Sequence, residues 1–170
     1  EGRVLTPHYT AIEFERRFLV TGPLPRLGPA IDITDRHLTG TRAYLHLALH
    51  PDGTVQRRLC KQYPAEASGC AAIAVAELSP HDFVLYEHME ANVLTKSRTF
   101  VTERGLRVAI DVFAGALQGL VLCEVSAAAE SDLVAFAAPA WATIDITADA
   151  FFAGHALAFA TPEQLRERLR

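Results

Sequence analysis

The stretch Glu13-Phe14-Glu15-Arg16-Arg17-Phe18-Leu19-Val20 constrains the fold more than any other part of this 170-residue chain. A period of two places Glu13, Glu15 and Arg17 on one face of a strand. Ile12, Phe14, Arg16 and Phe18 share the other face, which is apolar except for Arg16. A strand of this kind has two homes. Its charges point to water on the outside of a sheet, or they line the inside of a barrel, where carboxylates and cations together hold a ligand or a metal. The rest of the chain decides between them.

The length predicts one domain, 1–170, with room for a substantial core. Half the residues are apolar, yet no apolar run reaches the length of a membrane span and no signal-like N-terminal architecture is present. A net charge of -4 without basic clusters and interleaved aromatics argues against nucleic acid. Cys60, Cys70 and Cys123 lack metal-ligand spacing and read as buried thiols of a cytoplasmic protein.

A proline-rich loop at 21–29 follows the first strand. Short alternating or apolar runs come next, at 30–38, 41–50, 55–63, 70–78, 93–101, 106–113 and 120–126. Pro51-Asp52-Gly53 joins two of them as a hairpin. This pattern predicts an antiparallel barrel or sandwich. Ser79-Pro80 opens a helix through about Met89, 130–136 is a short helix, and 147–157 and 161–169 each begin on a capping threonine. The class is α+β, dominated by one antiparallel sheet.

The opening Glu-x-Glu-x-Arg strand, followed by Ile33-Thr34-Asp35-Arg36-His37-Leu38 and Gly40-Thr41-Arg42, resembles the CYTH superfamily of triphosphate tunnel metalloenzymes. Leu94-Thr95-Lys96-Ser97-Arg98, Ile110-Asp111-Val112-Phe113, Leu122-Cys123-Glu124-Val125 and the segment Trp141-Ala142-Thr143-Ile144-Asp145-Ile146-Thr147 match its later motifs in order. The resemblance implies an eight-stranded antiparallel β-barrel, a tunnel, with several helices packed outside. It also implies basic side chains that grip a triphosphate and glutamates of the first and last strands that hold Mg²⁺ or Mn²⁺.

Carried over residue by residue, Glu13, Glu15, Lys96, Arg98, Asp111 and Glu124 match the family pattern, and Arg17 stands where the family usually has lysine. Other positions depart from it. An Arg-x-Arg pair of the family falls on Tyr44 and His46, and a lysine pair falls on Arg58 and Gln62. Cys70, Ala72 and Ala74 stand where a polar wall is common, and Ser126 replaces one carboxylate of the last strand. The tunnel set then balances: Arg17, Arg58, Lys96 and Arg98 against Glu13, Glu15, Asp111 and Glu124. A balanced lumen is a poor host for a polyanion, because each charge taken from water without compensation is costly.

The leading expectation is therefore a repurposed tunnel enzyme without a cofactor. It would bind a bulky, largely apolar small molecule, such as a polyketide-like intermediate, and promote cyclisation or isomerisation by shape and hydrogen bonding. Tyr44, His46, Glu13 and Glu15 are its catalytic candidates. Arg17, Arg58, Cys60, Gln62, Ala72, Ala74, Lys96, Arg98, Phe100, Asp111, Phe113, Leu122 and Glu124 are its substrate-binding candidates. One alternative is a Mg- or Mn-dependent hydrolase of triphosphate or another phosphate ester, with metal at Glu13, Glu15 and Glu124. The other is a non-catalytic binding module. A homodimer is a possible assembly. His37, His50, His81, His88 and His155 read as surface or capping residues, Arg42 as a solvated cation at the mouth, and Trp141 as core packing with its indole N–H on backbone.

Overall fold

The computed structural model describes residues 10–63, 71–127 and 129–170, with the side chains of 10–13 and 71–72 outside that description. Among the described residues, nine strands form one antiparallel sheet: β1 Thr10–Leu19, β2 Ile31–Leu38, β3 Ala43–Leu49, β4 Val55–Gln62, β5 Ala71–Glu77, β6 Ala91–Glu103, β7 Leu106–Phe113, β8 Val121–Ala127 and β9 Ile144–Asp145. The order is β5-β4-β3-β2-β6-β7-β8-β1-β9. β1 pairs along residues 14–19 with β8 and along residues 10–13 with β5, so the sheet curves until its flanks meet on one strand. The expected count of eight becomes nine because Ile144–Asp145 adds a two-residue strand beside Phe18 and Leu19.

Local chemistry sets the connections. At the β3–β4 hairpin Gly53 takes φ 86, which a side chain resists, and the Asp52 carboxylate accepts from the Thr54 amide. Helix α1, Pro80–Glu87, starts on Ser79, whose hydroxyl and the Asp82 carboxylate cap each other's backbone amides. Helix α2 is Glu130–Val134. The helix expected over 147–157 is instead a 3₁₀ turn, Ala150–Phe152, and a short helix α3, Gly154–Leu157. Asp149 caps Phe151, and extended backbone at Ala153 separates the two pieces. Helix α4, Pro162–Arg168, starts on Thr161 with Gln164 completing the capping box. None of the helices among the described residues is long and apolar enough to cross a membrane.

The core has two parts. Phe18, Val108, Cys123, Val125, Leu133 and Phe136 pack β1, β7 and β8 against α2 on the outside of the sheet. Leu94, Phe113, Leu122, Phe152 and Leu157 belong to a second cluster, which plugs one end of the interior. Arg16 stands on the apolar outer face for a physical reason. Its guanidinium donates to the carbonyls of Leu133 and Phe136 and to the Asp145 carboxylate, and lies 4.9 Å from the Phe18 ring centroid.

Candidate active site

The sheet encloses a cavity of about 540 Å³. Alternation along each strand decides what enters it. One wall, from β1, β6, β7 and β8, carries Glu15, Arg17, Lys96, Arg98, Asp111 and Glu124. The facing wall, from β2, β3 and β4, carries Asp35, His37, Tyr44, His46, Arg58 and Cys60. Between them run Ile33, Ile73, Val75 and Leu94, while Phe152 and His155 close in from the α3 region.

The charged wall is built on Asp111. Its carboxylate accepts from Lys96 Nζ at 2.6 Å, from Arg98 Nε at 2.6 Å and from Arg98 Nη2 at 2.7 Å. Burial opposes the charge, but the two cations win and hold the carboxyl at about 2. Arg98 also reaches Glu124 at 3.3 Å. Burial first, then repulsion from Glu124, pushes the Glu15 carboxyl up from 4.5 to about 7 against the pull of Arg17, Arg98 and Lys96. Arg17 donates through Nη1 to the Phe152 carbonyl, and its Nε lies 2.9 Å from Glu15 Oε1. That contact is not aligned as a hydrogen bond, so the buried Nε has no hydrogen-bond acceptor among the described residues.

The opposite wall is organised by strand register. Asp35 faces His46, and His37 faces Tyr44, across β2 and β3. His46 Nδ1 and Asp35 Oδ1 are 2.7 Å apart, and the His37 and Tyr44 rings stack at 4.9 Å. Burial, then the neighbouring Cys60 and Asp35, pushes the Tyr44 phenol up, so it stays a neutral donor. Burial also pushes the Cys60 thiol up to about 11 and pushes His37 down.

Most of the expected lining residues meet here: Glu15, Arg17, Tyr44, His46, Arg58, Cys60 and Gln62, together with Lys96, Arg98, Asp111, Phe113, Leu122 and Glu124. Two do not. Ala74 faces outward beside Leu59 and Lys61, because Cys60 pairs with Val75 and Lys61 with Ala74, and a one-residue slip exchanges the faces of a strand. Phe100 lies beyond the cavity, under the Arg107 guanidinium, 3.4 Å from its ring centroid. Glu13 and Ala72 are placed by backbone alone, with side chains outside the described residues, and Cys70 lies outside them altogether.

Other readings change. His37 is buried and lines the cavity with His155, while Arg42, which also borders the cavity, is exposed as a cation at the mouth should be. The Trp141 indole donates to Glu103 at 3.4 Å rather than to backbone. Asp35 and Arg42 were missing from the charge balance. Five cations (Arg17, Arg42, Arg58, Lys96 and Arg98) face four carboxylates (Glu15, Asp35, Asp111 and Glu124) among the described lining residues. Glu15, near 7, is only partly ionised at neutral pH. Asp35 and Arg42 thus add one charge of each sign to the expected balance, and Glu13, its remaining member, has its side chain outside the described residues. The missed signal was symmetry about the turn at Gly40-Thr41: residues equidistant from it pair, which brings Asp35 to His46.

No group of three or more metal-binding side chains occurs among the described residues. Mg²⁺ needs less than that, since it is commonly held by one or two carboxylates plus substrate phosphates. Glu15 and Glu124 fit this description as hard oxygen donors that repel one another, and a divalent cation would relieve that repulsion.

No protein-family model and no curated protein matches the sequence. The fold is shared with solved structures. The structure of the hypothetical protein NE1496 is 27% identical at a TM-score of 0.58, covering 88% of this chain and 99% of that one. A second structure, of the inorganic triphosphatase NE1496, is 26% identical at 0.59, covering 87% and 98%. A protein from Bacillus halodurans assigned provisionally as an adenylate cyclase is 13% identical at 0.51, covering 74% and 85%, a likeness of fold alone. The expectation of a lumen without a cofactor is overturned by this likeness to an inorganic triphosphatase, together with the Glu15 and Glu124 carboxylates, which fit a divalent ion.

Proposed function

We infer that this chain, a CYTH-type triphosphate-tunnel protein, is a Mg²⁺- or Mn²⁺-dependent hydrolase of triphosphate or another phosphate ester. The observation that carries the reading is the meeting of Glu15 and Glu124 with Arg17, Lys96 and Arg98 in one cavity. Glu15 and Glu124 would hold the ion, which when bound polarises a phosphoryl oxygen. Arg17 adds positive charge beside them, its guanidinium fixed by the Phe152 carbonyl through Nη1 and approached by the Glu15 carboxylate at 2.9 Å. Lys96 and Arg98 present further donors, their geometry set by Asp111, and such preorganised positive charge stabilises a transferring phosphoryl group. The apolar strip of Ile33, Ile73, Val75 and Leu94 excludes water beside them.

Phosphate release from tripolyphosphate, a nucleoside triphosphate and simple phosphate esters, each with and without Mn²⁺, tests the reading. Metal-dependent release is expected from at least one substrate, with a Mn²⁺-dependent rise in melting temperature. No release and no rise would remove it. The same apolar strip and the neutral Tyr44 donor favour a second reading, ring closure or isomerisation of an apolar molecule. Conversion of such a molecule with no phosphate released would select it.

A further inference from the structure

We propose that His46, positioned by Asp35, donates a proton to the leaving oxygen, and that the substrate is accordingly a phosphate monoester of an alcohol. This rests on the hydrolase reading above and narrows it.

The placement follows from strand pairing. Asp35 and His46 are direct partners across β2 and β3, and Nδ1 and Oδ1 lie 2.7 Å apart. The side chains are 11% and 18% exposed, so the carboxylate fixes a largely enclosed ring. With Nδ1 engaged, Nε2 is the nitrogen left for the lumen, and no described residue hydrogen-bonds to it. The other groups on this wall are committed. Tyr44 and Cys60 hold their protons, His37 is pushed towards its neutral form under the Tyr44 ring, and Arg58 pairs with Glu77. Across the lumen, Lys96 and Arg98 are bound to Asp111, and Arg17 contacts Glu15.

A proton donor matters for one kind of leaving group. Cleaving a phosphoanhydride expels a phosphate that is stable as an anion. Cleaving an alkyl ester expels an alkoxide, a strong base, and protonating it as the bond breaks lowers the barrier. In the step, water oxygen forms the new bond to phosphorus while the bond from phosphorus to the ester oxygen breaks, its electron pair going to that oxygen. The ester oxygen takes the proton from His46 Nε2, and the proton lost by the water returns to the ring. The products are an alcohol and inorganic phosphate. Ile33, Ile73, Val75 and Leu94 supply apolar surface for the organic group.

The test compares tripolyphosphate, an alkyl phosphate and nitrophenyl phosphate, whose leaving group departs unaided, all with Mn²⁺. His46→Gln is expected to lower kcat on the alkyl ester by roughly 10²-fold or more, the usual size of a general-acid contribution, and to leave nitrophenyl phosphate within about 3-fold. His46→Arg keeps a positive charge that cannot be released as a proton, and is expected to fall with His46→Gln. Asp35→Asn should show a smaller loss of the same selectivity and move the alkaline limb of the pH–rate profile, which a merely structural role would not do. It also carries the test should the His46 variants fail to melt with the wild type. Equal losses on both esters, rescue by arginine, or wild-type cleavage of tripolyphosphate but of neither ester would overturn the proposal and leave the hydrolase reading standing. No Mn²⁺-dependent release from any of the three would overturn that reading, and the proposal with it.

Discussion

Replacing Asp111 with asparagine removes the charge on which the cationic wall is assembled. The side chain is 4% exposed and takes bonds from both Lys96 and Arg98, so the variant leaves two enclosed cations without their main counter-ion. The carboxyl is held at about 2 against an ordinary 3.8. At about 1.4 kcal/mol per unit, the ionised carboxylate is worth roughly 2–3 kcal/mol to the fold. Breaking a buried pair by removing one partner costs about 3–5 kcal/mol. A loss of about 3 kcal/mol corresponds to a fall in Tm of roughly 6–12 °C for a chain of this size. The sign with pH follows from the depressed value. The contribution is complete above the unfolded value of 3.8 and disappears as pH falls towards about 2. Thermal unfolding of wild type and Asp111→Asn across that range should give curves far apart at neutral pH that converge in acid. A variant that melts with the wild type at neutral pH, or a deficit that persists undiminished in acid, would refute the reasoning.

Glu15→Gln acts in the opposite direction. A carboxyl raised from 4.5 to about 7 costs the fold stability that grows as pH rises through that window. The variant should therefore melt higher than wild type above neutrality, match it in acid, and lose the Mn²⁺-dependent rise in Tm. An equal gain at both ends of the range would contradict the account. Arg16→Ala should cost about 2 kcal/mol, because charged hydrogen bonds to two carbonyls and Asp145 vanish where β1 meets α2. Urea unfolding should show a lower midpoint at unchanged slope, and an unchanged midpoint would place that arginine outside the stability of the fold.

The faces of most strands were legible because alternation is a local property. Glu15 and Arg17 point inward, and Phe14 and Phe18 pack outward, as a period of two requires. Distances between strands were not legible, and those control the chemistry. Ala74 is expected inward from the family resemblance; a strand of small apolar residues carries no contrast between its faces to correct that, and its pairing with Lys61 reveals the slip. Asp35 has no mark in the sequence, since an acidic residue on a strand is ordinary until its partner is known. Its partner is His46, fixed by a turn five residues away rather than by anything in either strand's composition. A charge count is too coarse for a related reason. It treats lumen charges as a sum, whereas what a ligand meets depends on which cations are already engaged. Lys96 and Arg98 share one carboxylate at 2.6 Å, so an incoming polyanion must compete with Asp111 for both. Arg17 is engaged as well, with Nη1 on the Phe152 carbonyl and Nε 2.9 Å from Glu15, so the same competition applies to it.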